Sequence, residues 1–261
     1  MNFAKMKSDD GILNILQITD THLFSDKSAT LHGNCTYHSL SETIDHIVSS
    51  YAGKYDIAFI TGDISQDKSL ASYALALHQF ERLSVPIYWI SGNHDDAHKL
   101  KAVFNTSGVV KQLSKLTTDY WDFVALNTCR PGTDTGYIKN DDFDLFSEKI
   151  KESKNANKKI AIIMHHHLYP VDTPLVDECM LQSHESFINL LNETAQIKLI
   201  ICGHVHGDYK ISNKNHVLET CPATCFQWKQ GSSIESEIEN KSGFKIHNFN
   251  KDSHRSSTVF I

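Results

Sequence analysis

The feature that most constrains this chain is a series of short apolar runs, each ending in a polar cluster. Runs rich in Ile, Leu and Val occupy residues 12–19, 56–61, 86–91, 122–127, 159–164 and 197–202. Their length and the Gly, Asp and Asn residues that bound them predict buried strands. Segments 39–52 and 68–83 repeat apolar residues every three or four positions, which predicts helices. Strands that alternate with helices predict a layered α/β fold.

The last quarter of the chain has a different pattern. Apolar and polar residues alternate in 216–221 and 244–249, which predicts antiparallel strands and closing hairpins. The lysine-rich segment 151–159 is typical of a solvated helix end, and the polar segment 231–242 predicts a mobile loop. Because no repeat or proline-rich linker divides the 261 residues, we expect a single domain over 1–261.

Composition excludes several classes of protein. With 40% hydrophobic and 21% charged residues, the chain is neither disordered nor collagenous. Its formal charge of −6 and its lack of a dense basic cluster argue against a nucleic-acid partner. The first ten residues lack the apolar segment of an export signal, and no run reaches the roughly 18 apolar residues of a membrane span. We therefore expect a cytoplasmic protein with no membrane partner.

The cysteine pattern does not indicate disulfides or a zinc site. Six cysteines in a chain without an export signal are expected to be reduced and structural. Cys221 and Cys225 form a C-x3-C pair, but a zinc site there needs two more ligands at comparable spacing.

Polar motifs follow five of the predicted strands. They are Asp20-Thr21-His22, Gly62-Asp63, Gly92-Asn93-His94-Asp95, His165-His166-His167 and Gly203-His204-Val205-His206. Any one of them alone is also typical of an ordinary turn. Ligands bind at the carboxyl edge of an open α/β sheet, so five motifs at strand ends predict one shared site.

The residue types at this site predict a metal centre. Imidazole, carboxylate and amide groups without thiolate suit Mn, Fe, Zn or Co. Seven protein ligands exceed what one catalytic ion uses, whereas two ions roughly 3.5–4 Å apart would use them and leave positions for water and substrate. Asp63 is the expected bridge because a carboxylate has two oxygens. Asn93 would coordinate without adding negative charge.

The five motifs also resemble a known family. DTH, GDIS, GNHD, HHH and GHVH, in this order, are similar to the calcineurin-like metallophosphoesterase superfamily. The flanking segments ILQITDTHLF, TGDISQD, YWISGNHD, CGHVH and PATCFQWK resemble bacterial class III 3′,5′-cyclic AMP phosphodiesterases, and the similarity runs from about residue 12 to 249. The resemblance implies a four-layer α-β-β-α sandwich in which helices flank two mixed sheets.

The resemblance also implies a ligand set for two ions, with Fe and/or Mn expected and Zn or Co as alternatives. One ion would be held by Asp20, His22, Asp63 and His206. The other would be held by Asp63, Asn93, His165 and His204. The histidine triplet departs from the family pattern, since Leu168 and Tyr169 precede the proline, but Pro170 keeps the alignment on His165. His166 and His167 are then expected to form hydrogen bonds or to orient the ligands.

The implied reaction is hydrolysis of 3′,5′-cyclic AMP to 5′-AMP. A hydroxide that bridges the metals would attack the phosphorus in line with the 3′ oxygen, without a covalent intermediate. Asp63 and His94 are the expected catalytic residues, with His94 donating a proton to the leaving ribose oxygen or holding a phosphoryl oxygen. Asp95 is expected to orient the loop or His94. The expected substrate contacts are His22, Asp63, Asn93, His94, His165 and His206.

Several alternatives stay open at this stage. The substrate could instead be another small phosphodiester or phosphomonoester, such as a 2′,3′-cyclic nucleotide. A non-enzymatic metal-dependent scaffold is a third hypothesis, against which the intact ligand set argues. Thr135 stands where the family loop has a histidine before Gly136, which implies a different specificity.

The aromatic residues near the end of the chain and the histidines outside the motifs have no single predicted role. Phe226 and Trp228 could be core residues or lie next to the nucleotide. Most of the histidines outside the motifs are expected on the surface or on helix faces; they are His32, His38, His46, His78, His98, His184, His216, His247 and His254. The sequence leaves the metal identity and the oligomeric state open.

Overall fold

The computed structural model describes residues 11–261, and two six-stranded sheets form its centre. The first sheet contains, in spatial order, β16 (His254–Phe260), β15 (Gly243–Phe249), β1 (Leu13–Ile18), β4 (Ile57–Thr61), β5 (Ile87–Ile90) and β6 (Val110–Gln112). The second contains β11 (Lys210–Ser212), β12 (Val217–Thr220), β10 (Ile197–Cys202), β9 (Lys159–Ile163), β8 (Trp121–Ala125) and β7 (Lys115–Thr117). The segment over which no export signal was predicted, 1–10, lies outside the described residues.

Two strand pairs and six helices complete the described part of the chain. The pairs are β2 (Thr30–Leu31) with β3 (Asn34–Cys35), and β13 (Gln227–Trp228) with β14 (Ile238–Glu239). The helices are α1 (Thr36–Ser50), α2 (Leu70–Glu81), α3 (Ala97–Phe104), α4 (Asn140–Asn155), α5 (Pro174–Asp177) and α6 (Glu185–Glu193). Between residues 11 and 261, no helix is both long and apolar enough to cross a bilayer.

Local sequence sets where several helices begin and end. The Ser69 hydroxyl accepts a hydrogen bond from the backbone N–H of Ser72 and so caps α2. The Asp96 carboxylate accepts from the N–H groups of His98 and Lys99 and caps α3. Helix α4 ends at Asn155, inside the lysine-rich segment predicted to be a solvated helix end.

Three apolar layers hold the sheets and helices together. Outside the first sheet, Ile60 packs with Ile44 of α1 and Phe80 of α2. Outside the second sheet, Ile162 packs with Phe146 of α4. Between the sheets, the rings of Phe59 and Phe123 meet edge to face with centroids 5.5 Å apart. The order helix, sheet, sheet, helix confirms the predicted four-layer sandwich.

Both sheets are mixed, as predicted, because antiparallel strands flank a set of parallel strands, on one side of the first sheet and at both edges of the second. Strands β1, β4, β5 and β6 are parallel, and β15 pairs antiparallel with β1 and with β16. Strands β8, β9 and β10 are parallel, with β7 antiparallel at the edge.

Two predictions about the last quarter need correction. Strand β12 pairs antiparallel with β11 but parallel with β10, since the chain crosses through β11 before it returns to the sheet. The predicted loop 231–242 carries β14, which pairs with β13. Most of the histidines outside the motifs are exposed or partly buried, and His216 and His247 are the exceptions at 4% and 0% exposed.

Candidate metal centre

The predicted motifs meet at one place, where the carboxyl ends of β1, β4, β5, β9 and β10 converge. Most of the expected ligands there are buried, and each is less than 9% exposed apart from the partly buried His204. Positive φ, between 45° and 69°, is shared by Asp20, His22, Asp63, His204 and His206. Residues other than glycine rarely adopt this conformation, although Asp and His do so more often than most. Such strained backbone is typical of functional sites.

Two glycines allow these loops to approach one another closely. A Cβ on Gly92 would lie 2.0 Å from Oδ1 of Asp63, and a Cβ on Gly203 would lie 2.2 Å from the hydroxyl oxygen of Thr19. No side chain fits at either position without displacing a neighbouring loop. The glycines in the GNHD and GHVH motifs therefore set the spacing between the ligand-bearing loops.

The first expected ligand group is compact. Nε2 of His206 lies 3.6 Å from Oδ1 of Asp20 and 3.1 Å from Nε2 of His22, which is 3.8 Å from Oδ2 of Asp63. Metal bonds to N and O ligands of about 2.0–2.2 Å place the ligands of one ion roughly 3–4 Å apart. These four side chains already have that spacing.

The second expected ligand group shares Asp63 with the first. Nε2 of His165 lies 3.2 Å from Oδ2 of Asp63 and 3.0 Å from Oδ1 of Asn93. The other oxygen of Asp63, Oδ1, accepts a hydrogen bond of 2.8 Å from the backbone N–H of His94. A single oxygen, Oδ2, therefore faces both groups, whereas the bridge predicted from the sequence relied on the carboxylate having two oxygens.

The hydrogen bonds of three histidines indicate whether the site fits a metal ion. Nδ1 of His165 donates to the carbonyl of Thr61 (2.8 Å), and Nδ1 of His206 donates to the carbonyl of Phe226 (3.1 Å). Nδ1 of His22 donates to the side-chain oxygen of Gln66 (2.7 Å). In the neutral ring the proton is then on Nδ1, so each Nε2 carries only a lone pair.

These bare nitrogens point at other acceptors. Nε2 of His165 faces two oxygens, and the Nε2 atoms of His22 and His206 face each other. Acceptors that converge without a donor repel one another unless a proton or a metal ion lies between them. The donor set of the described residues thus fits the two predicted ions.

The pKa values at the site are shifted by burial and by the neighbouring charges. Burial alone would lower the pKa of His165, but the carboxylates of Asp63 and Asp20 raise it to about 9. Burial raises the pKa of Asp20 to about 7, with the charge of Asp63 adding to this and His165 opposing it. Burial lowers the pKa of His22 to about 4. Among these three side chains, His165 has the highest pKa.

His204 lies beside the second group, among the three histidines of the triplet. Its ring centroid is 5.2 Å from that of His165 and 4.6 Å from that of His166, and its buried Nε2 has no hydrogen-bond partner among the described residues. His166 instead bonds to the hydroxyl of Thr128, and His167 to the carboxylate of Asp177. These contacts match the expected hydrogen-bonding role of His166 and His167.

His94 and Asp95 have different surroundings. The His94 ring is 32% exposed and meets the His22 ring edge to face with centroids 5.0 Å apart. Asp95 accepts from the backbone N–H groups of Gly92, Ile64 and Ser65 at 2.9–3.1 Å. Asp95 therefore ties the loop after β4 to the loop after β5, while His94 faces the solvent side of the site.

A cavity of about 360 Å³ opens over these ligands. Its walls include His22, Asn93, His94, His204 and His206, together with a second group of residues. That group consists of Leu31, His32, Gln66, Asp134, Leu175, Val176, Cys179, Phe226, Trp228 and Glu235.

Phe226 and Trp228 line the cavity and also pack against neighbouring rings. Phe226 is 1% exposed, and its ring centroid lies 4.8 Å from that of His206. The ring of His32 meets both aromatic rings edge to face at 5.1 and 5.3 Å. Phe226 and Trp228 therefore combine the two predicted roles, since they pack in the interior and also line the candidate site. His32 was missed because no motif surrounds it.

Two more site residues, Gln66 and Asp134, could not be recognised from the sequence. Gln66 lies within the TGDISQD segment, yet nothing in its spacing indicates that it accepts from His22. Asp134 accepts a hydrogen bond of 3.1 Å from the Asn93 amide. Thr135, noted as a departure from the family loop, is its neighbour.

Two other clusters contain residue types that bind metals, but neither shows acceptors that converge without a donor. Cys225 contacts His206, but through Nδ1 at 3.7 Å, on the opposite side of the ring from Nε2, and burial raises the pKa of its thiol. Glu219 lies near His247 and has the ammonium group of Lys210 at 2.9 Å. All six cysteines are free, as expected.

Comparison with known proteins identifies the family. Residues 13–208 match the family model described as calcineurin-like phosphoesterase. The chain belongs to the calcineurin-like phosphoesterase family. The crystal structure of a dimetal phosphatase from Danio rerio superposes with a TM-score of 0.70 at 12% identity, covering 97% of this chain and 99% of that one, which shows the shared fold. The family assignment makes the chain a hydrolase.

Two curated members of the family are similar over most of their length. A protein named probable cyclic nucleotide phosphodiesterase, from Coxiella burnetii, is 33% identical over 91% of this chain and 93% of its own. The 3′,5′-cyclic adenosine monophosphate phosphodiesterase CpdA of Pseudomonas aeruginosa is 29% identical over 86% of this chain and 80% of its own.

Proposed function

We propose that this protein hydrolyses 3′,5′-cyclic nucleotides, and that cyclic AMP is converted to 5′-AMP at a centre of two metal ions. The observation that carries the proposal is the convergence of bare imidazole nitrogens and carboxylate oxygens around Oδ2 of Asp63. The names of the similar proteins support the substrate class. The cavity above the ligands has the volume of a small-molecule site. A cytoplasmic location stays a prediction from the sequence.

The chain's own residues would hold the ions in two groups. Asp20, His22, Asp63 and His206 would hold one, and Asp63, Asn93, His165 and His204 the other. When bound, the ions supply a water-derived nucleophile near neutral pH and compensate negative charge on the phosphate.

His94 has the position expected of the proton donor. Its imidazole is partly exposed and projects into the cavity, while its backbone N–H is fixed on Asp63 by a 2.8 Å hydrogen bond. This geometry supports His94 as the donor of a proton to the leaving ribose oxygen. Asn93 adds a ligand without charge, so the site does not further repel an anionic substrate.

The aromatic side of the cavity suits the nucleoside part of the substrate. His32, Phe226 and Trp228 offer ring faces and edges at one end, and the expected ligands lie at the other. A cyclic nucleotide has the same division between an apolar base and a charged phosphate.

The test is hydrolysis of cyclic AMP by the purified protein with Mn²⁺ or Fe²⁺. We expect 5′-AMP as product, and a loss in kcat/KM of about 1,000-fold or more in Asp63→Ala, because both ions lose a ligand. Asp144→Ala removes an exposed acid from α4 and should leave kcat/KM unchanged. Turnover that survives Asp63→Ala would reject the bridging role. A higher kcat/KM for 2′,3′-cyclic AMP or a phosphomonoester would favour the alternative substrates.

A further inference from the structure

Asp134 approaches the second ligand group from a separate loop. The loop lies between β8 and α4 and is held by hydrogen bonds from the backbone N–H of Tyr137 to the carbonyl of Thr128 and from Gln182 to Gly136. It passes so close to His166 that a Cβ on Gly136 would lie 2.7 Å from that ring. The main chain thus fixes the position of Asp134, although its side chain is 68% exposed.

The contact that matters is with Asn93. Nδ2 of Asn93 donates to Oδ1 of Asp134 at 3.1 Å, while Oδ1 of Asn93 faces Nε2 of His165 at 3.0 Å. The backbone carbonyl of Asp134 also accepts a hydrogen bond of 3.1 Å from Nε2 of His166. One residue therefore contacts two side chains that border the second ligand group.

An amide can point either way, because its oxygen and its NH₂ group are nearly equal in size. If the Asn93 amide rotated by half a turn, its NH₂ group rather than its oxygen would face Nε2 of His165. That orientation leaves Asn93 unable to coordinate an ion. A carboxylate accepts but cannot donate, so the rotated amide oxygen would face the oxygen of Asp134.

We propose that Asp134 is a positioning residue that holds the Asn93 amide with its oxygen towards the second ion. The inference rests on the proposed two-ion centre. When only a fraction of molecules has the competent amide, the apparent affinity falls by that fraction. Loss of a group that orients a metal ligand typically lowers the metal affinity by about 10–100-fold.

The test is titration of the metal-free full-length protein with Mn²⁺, followed by electron paramagnetic resonance and calorimetry. We expect Asp134→Ala, and Asp134→Leu as a second variant, to weaken one of two binding steps about tenfold and the other less than about twofold. Excess Mn²⁺ should restore kcat for cyclic AMP. The control, Asp144→Ala, removes one exposed negative charge elsewhere and should change neither step.

A double-mutant cycle with Asn93→Asp separates positioning from simple attraction of the cation. An aspartate at 93 has an oxygen in either orientation, so Asp134→Ala should weaken Mn²⁺ binding less than about twofold in that background. Equal weakening in both backgrounds would assign the effect to charge and overturn the proposal, as would no weakening in either. Wild-type protein that binds two Mn²⁺ ions without cleaving cyclic nucleotides would reject the proposed function alone. Wild-type protein that does not bind two ions would reject both.

Discussion

Proton placement on individual rings decides what the centre can bind. Three of the expected ligand histidines donate a hydrogen bond from Nδ1 to an oxygen, which belongs to Gln66, Thr61 or Phe226. Two of these oxygens are backbone carbonyls and cannot be replaced by substitution. Gln66 is the exception, because its side chain provides the acceptor for His22.

Replacing Gln66 should therefore weaken metal binding. We expect Gln66→Leu to lower the affinity for Mn²⁺ by about 10–100-fold, since His22 is then free to place its proton on the nitrogen that faces the metal. Gln66→Glu keeps an acceptor at the same distance and should bind within about threefold of the wild type. Calorimetric titration of both variants measures the difference. Equal affinities for the leucine and glutamate variants would show that the 2.7 Å bond does not control His22.

Sequence reasoning named the expected ligands but missed Gln66 and Asp134, which contact two of them. Asp20 and His204 could be predicted because each belongs to a short motif directly after an apolar run. Gln66 and Asp134 act through contacts 44 and 41 positions away in the chain. No local pattern encodes such a contact, since it depends on how separate loops pack.

Among the secondary-structure elements, the loops that follow the strands can approach one another only where a glycine leaves no side chain between them. The ends of β4 and β5 approach at Gly92, where any Cβ would overlap the carboxylate of Asp63. By contrast, a Cβ on Gly108, between α3 and β6, would have no neighbouring atom within 4 Å, and this glycine has no positive φ. The two glycines form a matched pair for mutation.

Alanine at these two glycines should have opposite effects. Gly92→Ala should lower the free energy of unfolding by about 1–3 kcal/mol, because it overpacks the loops, and should also abolish high-affinity metal binding. Gly108→Ala should leave stability unchanged or raise it by about 0.4–1 kcal/mol, since alanine restricts the unfolded chain. Urea unfolding of both variants measures these values. A fully active, stable Gly92→Ala protein would contradict the close approach of the loops.

The positions of the strands were predicted well from the sequence, but the direction of one of them was not. The apolar run at 197–202 matches β10, because a buried central strand needs continuous hydrophobic residues. Alternation at 216–221 indicated a strand, and β12 is there, but it runs parallel to β10. Alternation reports which face is buried and carries no information on the neighbour's direction.

At the scale of the whole molecule, buried polar groups link strands of the first sheet to one another and to the segment before β11. His247 bonds to Gln17 and to His254, and Lys245 pairs with Asp208 at 2.7 Å. Burial lowers the pKa of His254 to about 4, with Glu219 opposing the shift. Burial, the largest cause, also holds the pKa of His247 well below its usual value.

These histidines should make the fold sensitive to acid. Because the pKa of His254 is lower in the folded state, the unfolded chain binds more protons below pH 6.5, and the free energy of unfolding falls as the pH drops from about 6.5 towards 4. We expect His254→Gln to reduce the loss between pH 7 and pH 5 by about 1–2 kcal/mol. Urea unfolding at both pH values measures it, with exposed His78→Gln as control. Parallel pH profiles for the wild type and His254→Gln would contradict this assignment.

The expected ligands come from both halves of the sandwich. Asp20, Asp63 and Asn93 follow strands of the first sheet, and His165 and His206 follow strands of the second. Ions that bind only the assembled protein would stabilise it in proportion to the logarithm of their free concentration. A cell short of these ions would then hold fewer working copies and degrade the empty ones sooner, so nutrient supply would set enzyme abundance as well as turnover.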